Sequence, residues 1–204
     1  MPMKCRLQRA AGFTNTCWSS IMARSKILCG LLMGTLLAAT AAAGEPAKTE
    51  KKAADDAKEG RSNLERFKKL AGDWVSANPK EEKLKGKVIS RYRTTSGGSA
   101  VVETVFPGDE MEMVTVYTAD GDQVALTHYC HLGNQPRMRS KNGDSKDELF
   151  FEFAGGGNLN PAKDTHMHDC HIRFVDADHI QGEWELYMDG KPAGKHAFDL
   201  IRKK

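Results

Sequence analysis

From residue 72 onwards, apolar and polar residues alternate along short segments that are separated by turn residues. Alternation predicts strands, because successive side chains of a strand point to opposite faces. The pattern places ten strands at residues 72–77, 87–95, 99–106, 110–118, 123–132, 137–141, 148–153, 165–174, 179–188 and 193–202. Asp120-Gly121 and Asp189-Gly190 are typical of tight hairpin turns. Many short strands at regular spacing predict an all-β barrel or sandwich.

A helical pattern precedes the first strand. Its apolar residues recur at helical spacing, namely Leu64, Phe67, Leu70 and Ala71. Ser62 and Glu65 match a capping box, which predicts a short amphipathic helix that begins at Ser62 and stops before Gly72. Residues 45–61 are rich in Lys, Ala, Glu and Asp and contain no large apolar residue, so we expect a charged, flexible linker there. The folded domain is therefore expected to span residues 62–204.

Residues 1–44 have the composition of a secretory signal peptide. They contain five basic residues and no acidic ones, with an apolar run over 27–38 and the small residues Ala41-Ala42-Ala43 behind it. The run is too short for a membrane span of about 20 residues. We therefore predict an exported protein, periplasmic or extracellular, with no stable membrane anchor after cleavage. Met1 and Met22 are both candidate initiators.

Cleavage changes the charge balance. The whole chain has 30 Lys and Arg against 27 Asp and Glu, and without the five basic residues of the signal 25 remain against 27. The mature protein is nearly neutral, which argues against a nucleic-acid partner. Only two cysteines remain, Cys130 and Cys170.

The eighth predicted strand carries the main candidate site. His166, His168 and Cys170 share a face with Ile172 and Phe174, so we expect the two imidazoles and the thiol to point into the core. His171 falls on the opposite face.

The fifth predicted strand repeats this arrangement, since His128 and Cys130 share the apolar face that contains Leu126. Inward faces meet across the lumen of a barrel, so these groups are expected to converge with those of the eighth strand. Other strands contribute further inward candidates: Glu103, Met113 and Tyr117.

Three interpretations of this set remain open. In the first, His166 and His168 lie about 7 Å apart at the backbone and chelate one metal ion, with His128 or Glu103 as a third ligand. In the second, Cys130 and Cys170 form a disulfide, as export would favour. Two intervening strands would place these cysteines about 14 Å apart in a simple meander, against a limit of about 7 Å. In the third, the polar groups are structural and are hydrogen-bonded inside the barrel with buried water. Each group left unpaired would cost about 1–3 kcal/mol, so a polar ligand that sometimes fills the cluster would explain it more easily.

Gly72-Asp73-Trp74 at the first strand and Arg202 near the end of the last strand resemble the calycin (lipocalin-like) pattern. In that superfamily the Arg packs across the Trp and closes one end of the barrel. The roughly ten strands predicted here resemble its fatty-acid-binding and nitrobindin branches more than the eight-stranded lipocalins. The resemblance covers about residues 62–204. It implies a single calycin-like antiparallel barrel of about ten strands preceded by a short N-terminal helix.

Three segments also resemble an uncharacterised family of exported bacterial calycin-like proteins: Thr127-His128-Tyr129-Cys130, residues 133–138 and His166-Met167-His168. The nitrobindin-like branch binds haem through a histidine, but that histidine has no match here. A metal ion and haem both stay open as cofactors.

The leading hypothesis is an exported barrel that binds a small molecule in a polar lumen. Its expected ligand contacts are His128, Cys130, His166, His168, Glu103, Met113 and Tyr117. The alternatives are a metal-dependent enzyme or metal-binding protein and a purely structural secreted module. No Ser/His/Asp order, phosphate-binding loop or haem-attachment motif is present, so a binding protein is favoured over an enzyme.

Overall fold

The computed structural model describes residues 46–79, 82–141 and 147–204. The predicted signal peptide therefore lies outside the described residues. One long helix, α1 (Pro46–Lys68), precedes the strands. The strands are β1 (Gly72–Ser76), β2 (Val88–Thr95), β3 (Ala100–Val105), β4 (Met113–Asp120), β5 (Gln123–Tyr129), β6 (Gln135–Ser140), β7 (Glu148–Gly157), β8 (His166–Asp176), β9 (His179–Met188) and β10 (Lys191–Arg202). None of the helices in these residues is long and apolar enough to cross a bilayer.

The described strands form one closed antiparallel barrel. Each strand pairs with its neighbours in the sequence, and β1 pairs with β10 to complete the ring. The prediction of an all-β barrel of about ten strands behind an N-terminal helix is confirmed. The inward face is apolar, as the alternation requires, with Leu126, Leu149, Phe151 and Ile180 almost completely buried. Burial of each such side chain contributes about 1.5–3 kcal/mol.

Helix α1 covers one end of the barrel, which we call the helix end. Phe67 is fully buried and stacks on Tyr117 with ring centroids 4.2 Å apart. It also meets Phe151 and Phe174 edge-on, at 6.2 and 5.4 Å. A single aromatic residue of the helix thus fills the lumen between β4, β7 and β8. The opposite end of the barrel, where β5 ends and β8 begins, is called the far end.

The prediction of a linker over 45–61 is wrong for the described residues, because α1 already begins at Pro46. Proline suits the first position of a helix, and the Ala, Lys and Glu that follow are strong helix formers. Ser62 consequently lies inside the helix and caps nothing. Gly60 is buried because the helix crosses the β4–β5 turn there, and a Cβ atom would lie 2.7 Å from the Gln123 carbonyl oxygen.

Arg202 and Trp74 complete the helix end. The Arg202 guanidinium lies over the Trp74 ring, 4.6 Å from its centroid, and the two residues are partners in the β1–β10 register. The guanidinium also donates to the carbonyls of Ala71 and Lys69 at 2.7 and 2.8 Å, and to Asp178 at 2.7 Å. The arginine therefore connects the last strand to the residues that follow the helix, and it packs on Trp74 as the calycin resemblance implied.

Candidate functional site

The histidines of β5 and β8 lie at the far end of the barrel. His128 and His166 are buried, at 3% and 0% exposure, whereas His168 is half-buried. Cys130 is buried in the turn that follows β5. His171 does not join them, because it lies on the outer face, stacked on Phe150. Cys170 and His171 therefore lie on the predicted faces of β8, whereas a bulge between Met167 and Asp169 interrupts the alternation at His168.

His128 has one satisfied and one unsatisfied ring nitrogen. Its Nδ1 lies 2.9 Å from the hydroxyl of Thr115, which is fully buried on the neighbouring strand β4. Its Nε2 is also buried and has no hydrogen-bond partner among the described residues. Burial, and to a lesser extent His131, lowers the pKa of His128 to about 4, so the imidazole is neutral at pH 7. The far end thus contains a neutral imidazole with an unpaired nitrogen.

His166 and His168 form a hydrogen-bonded pair. His166 Nδ1 lies 2.8 Å from the Asp164 carbonyl, which can only accept, so this nitrogen carries the proton. With that proton on Nδ1, Nε2 of His166 accepts from Nδ1–H of His168, at 3.1 Å. Phe153 and Tyr187 stack on the two faces of His168, with centroids 4.5 and 3.7 Å away. The arrangement fixes the ring of His168 and leaves its Nε2 as a lone-pair acceptor.

Glu103 lies in a buried polar network beside the histidine of β5. Its carboxylate accepts from the hydroxyls of Ser90 and Tyr117, both at 2.7 Å. Burial raises the pKa of Glu103, and these bonds partly offset that effect. The register pairs Glu103 with Thr115 and Thr115 with His128, so a polar strip crosses β3, β4 and β5 inside the apolar barrel.

Met113 and Cys130 both lie beside the ring of His131 at the edge of this strip. The exposed His131 brings them together, since its Nδ1 lies 3.4 Å from the Met113 sulfur and 3.9 Å from the Cys130 sulfur. Of the predicted ligand contacts, Glu103 and Tyr117 therefore lie with Thr115 in the strip, whereas Met113 and Cys130 lie at its rim.

The interpretation of Cys130 and Cys170 as a disulfide is wrong, because both thiols are free and buried. Strands β6 and β7 separate β5 from β8 in the sheet, as the geometric objection anticipated. Cys170 lies in the apolar core, where burial raises the pKa of its thiol well above the usual range.

The predicted metal set is not assembled. His166 and His168 bind each other, and His128 binds Thr115 on another strand. Within 46–79, 82–141 and 147–204, no three His, Cys, Asp or Glu side chains are placed to hold a metal ion.

Sequence reasoning missed several members of the site. Thr115 has the same parity as Met113 and Tyr117, so the alternation could have identified it. Trp184 of β9 is half-buried, and its ring centroid lies 5.1 Å from that of His128. Asn134 gave no signal beyond a turn, yet it is buried with its Oδ1 unpaired while its amide donates to the Thr165 carbonyl at 2.9 Å.

Two pockets on the surface lie away from the far-end histidines. One of about 610 Å³ surrounds the end of β10 near His179 and Arg202. The other, of about 340 Å³, lies over the outer face of β7 to β10 and reaches Cys170 from outside. Neither is lined by His128, His166 or His168.

The closed antiparallel strands and the buried polar side chains, among them His128, define a barrel with a polar, histidine-containing interior. No family model, no curated protein and no solved structure matches the chain. The likeness to calycins therefore remains a resemblance in the sequence.

Proposed function

We propose that this protein is an exported barrel that binds a small ligand at its far end, with His128, His166 and His168 as its polar contacts. The observation that carries the proposal is the buried, unpaired Nε2 of His128. Leaving a buried polar atom without a partner costs about 1–3 kcal/mol. A ligand atom that pairs with Nε2 recovers this free energy, which gives the site an intrinsic affinity for a polar group.

The surroundings of His128 support a ligand that also has an apolar part. The aromatic ring of Trp184 contacts His128 and is half-buried, so part of it is accessible to a molecule entering from solvent. Phe153 and Tyr187 add aromatic surface around the histidine pair of β8. Pockets with mostly apolar walls and a few fixed polar groups are typical of small-molecule sites.

Titration of the ¹⁵N-histidine-labelled protein tests the binding proposal. The probes are benzamide, benzoate, benzylamine and benzyl alcohol, followed by NMR of the His128 ring nitrogens. Concentrations of about 10 mM detect dissociation constants near 1 mM, equivalent to about −4 kcal/mol. We expect at least one probe to shift the Nε2 resonance of His128 saturably.

Two matched variants locate the binding. His128→Phe keeps an aromatic ring but removes the nitrogen, and it should abolish the saturable response as seen in Trp184 fluorescence. His196→Phe changes an exposed histidine of β10 and should leave the response intact. If no probe binds, or if His128→Phe binds as the wild type does, the lumen histidines are structural and the proposal fails.

Export is tested separately. The predicted signal peptide requires the mature protein to begin near residue 44. N-terminal sequencing of protein from the periplasmic or secreted fraction of a bacterial host should give that start. A chain that stays in the cytoplasm and begins at Met1 or Met22 would contradict this part of the proposal.

A further inference from the structure

We propose that the ligand group that pairs with His128 is a neutral hydrogen-bond acceptor, such as a carboxamide or ketone oxygen, carried by a planar ring. This inference rests on the proposed function and names the chemical class of its ligand. It follows from the direction of one hydrogen bond, from the charges around His128 and from the position of Trp184.

The hydroxyl of Thr115 decides which nitrogen of His128 carries the proton. Thr115 is fully buried, and His128 Nδ1 is the single hydrogen-bond partner that its side chain has within the described chain. A hydroxyl has one proton, so the pairing is complete only when the O–H donates to Nδ1. The opposite arrangement leaves two groups unpaired, the hydroxyl proton and the lone pair of Nε2, whereas this arrangement leaves only Nε2–H unpaired; each unpaired group costs about 1–3 kcal/mol. The proton of His128 therefore lies on Nε2, and the unpaired group is a donor.

The charges around this donor favour a neutral partner. His128 itself is neutral at pH 7, and none of the buried residues in the described ranges is Lys or Arg. The carboxyl of Glu103 lies beside Thr115, and its oxygens already accept from Ser90 and Tyr117. An anionic ligand would lose its hydration with no cation to balance it, which is a large cost in a buried site. A cationic amine has no lone pair to offer the donor.

Trp184 determines the shape of the ligand. Its ring centroid lies 5.1 Å from that of His128, with 40° between the planes, and its side chain is half-buried on β9. A planar ring that inserts beside this indole gains an offset or edge-on aromatic contact, worth about 0.5–1.5 kcal/mol beyond its buried area. A saturated ring of the same size gains less. Planarity and a neutral acceptor are thus required together.

Four probes of similar size separate these requirements on the ¹⁵N-histidine-labelled protein. We expect benzamide to bind at least about tenfold more tightly than benzoate or benzylammonium, a difference of about 1.4 kcal/mol. Cyclohexanecarboxamide tests planarity and should bind more weakly than benzamide. In the ligand-free protein, the ¹⁵N shifts of His128 should show a protonated Nε2 and an unprotonated Nδ1.

A variant at Thr115 tests the cause of the preference. Thr115→Val removes the hydroxyl that fixes the tautomer while keeping the shape of the side chain. It should populate both tautomers of His128 and reduce the preference for benzamide. Thr118→Val makes the same change at a less buried position on β4 and should leave the preference and the ¹⁵N shifts unchanged.

The outcomes distinguish this inference from the proposed function. If benzoate binds as tightly as benzamide, or if Thr115→Val retains the preference, the ligand class is wrong while the binding site stands. If no probe binds at all, the proposed function fails. An unprotonated Nε2 in the ligand-free protein overturns the inference whether or not any probe binds.

Discussion

Acidification should destabilise the barrel through His128, whose side chain is 3% exposed. Burial chiefly, and His131 to a lesser extent, lowers the pKa of His128 from 6.5 to about 4 in the folded protein. The unfolded chain binds a proton at this histidine below about pH 6.5, whereas the folded protein resists it down to about pH 4. The stability that neutral His128 contributes is therefore complete above about pH 6.5 and is lost as the pH falls through this window.

The size of the effect follows from the pKa difference. One pKa unit corresponds to about 1.4 kcal/mol, so protonation of His128 should remove about 3 kcal/mol by pH 4. That is a large part of the roughly 5–15 kcal/mol that stabilises a typical domain. Other groups titrate in the same range, and a comparison between variants is needed to isolate the contribution of His128.

Urea unfolding followed by circular dichroism, from neutral pH to about pH 4, measures this contribution. His128→Gln removes the titrating ring and should flatten the dependence of stability on pH by about 3 kcal/mol relative to the wild type. His196→Gln removes an exposed histidine of β10 and is the matched control. Parallel profiles for the wild type and His128→Gln would refute the reasoning, because His128 would then be accessible to protons in the folded barrel.

Three further changes test the packing at the helix end and in the polar strip. Gly60→Ala should lower the free energy of unfolding by about 1–2 kcal/mol, and the thermal midpoint by several degrees, because the new methyl group meets the β4–β5 backbone. The control, Ser62→Ala at an exposed position of the same helix, should be neutral or slightly stabilising. A higher midpoint for Gly60→Ala would show that the helix does not cross that turn. Arg202→Lys keeps the charge but loses the forked contacts to the backbone and the face of Trp74, and calorimetry should show a loss of about 1–3 kcal/mol. Glu103→Gln leaves one carbonyl oxygen to accept from the hydroxyls of Ser90 and Tyr117, which now have two carboxylate oxygens. Urea unfolding should therefore show a loss of stability of similar size, and unchanged stability would mean that these hydroxyls do not depend on the carboxyl.

The strands could be predicted well because alternation is a direct consequence of a sheet with one buried face. β9 has the predicted bounds, His179–Met188. β5 ends earlier than predicted, at Tyr129, because a turn closes there with the Cys130 amide donating to the Asn134 carbonyl at 3.1 Å. That turn depends on backbone hydrogen bonds, which the polarity of the side chains does not report.

β7 was predicted to end at Phe153, but it continues to Gly157. Glycines 155 to 157 extend the strand because the backbone of β6 approaches it closely, and a Cβ atom at Gly156 would lie 2.9 Å from the Gln135 carbonyl oxygen. The close spacing of β6 and β7 therefore requires glycine at this position. Such a contact between strands cannot be predicted from the alternation of apolar and polar residues within one strand.

The candidate site was predictable in position but not in chemistry. Parity predicted inward faces for His128, His166 and His168; His128 and His166 are buried, whereas His168 is half-buried beside the bulge that interrupts the alternation of β8. It could not show that two of these histidines bind each other while the third binds Thr115, since those contacts depend on strand register and on the bulge in β8 after Met167. The metal interpretation depended on convergence, and the register separates its proposed ligands.

The pairing of β1 with β10 has a consequence for how the chain folds. Arg202 donates to the Ala71 carbonyl across 131 positions of sequence, whereas the other strands pair with immediate neighbours. Contacts between distant parts of a chain form slowly, because the loop that joins them must first be ordered. Ring closure is therefore expected to be a late event in folding. Until then, β1 and β10 each present an unpaired edge to other molecules, and their pairing with each other removes that liability.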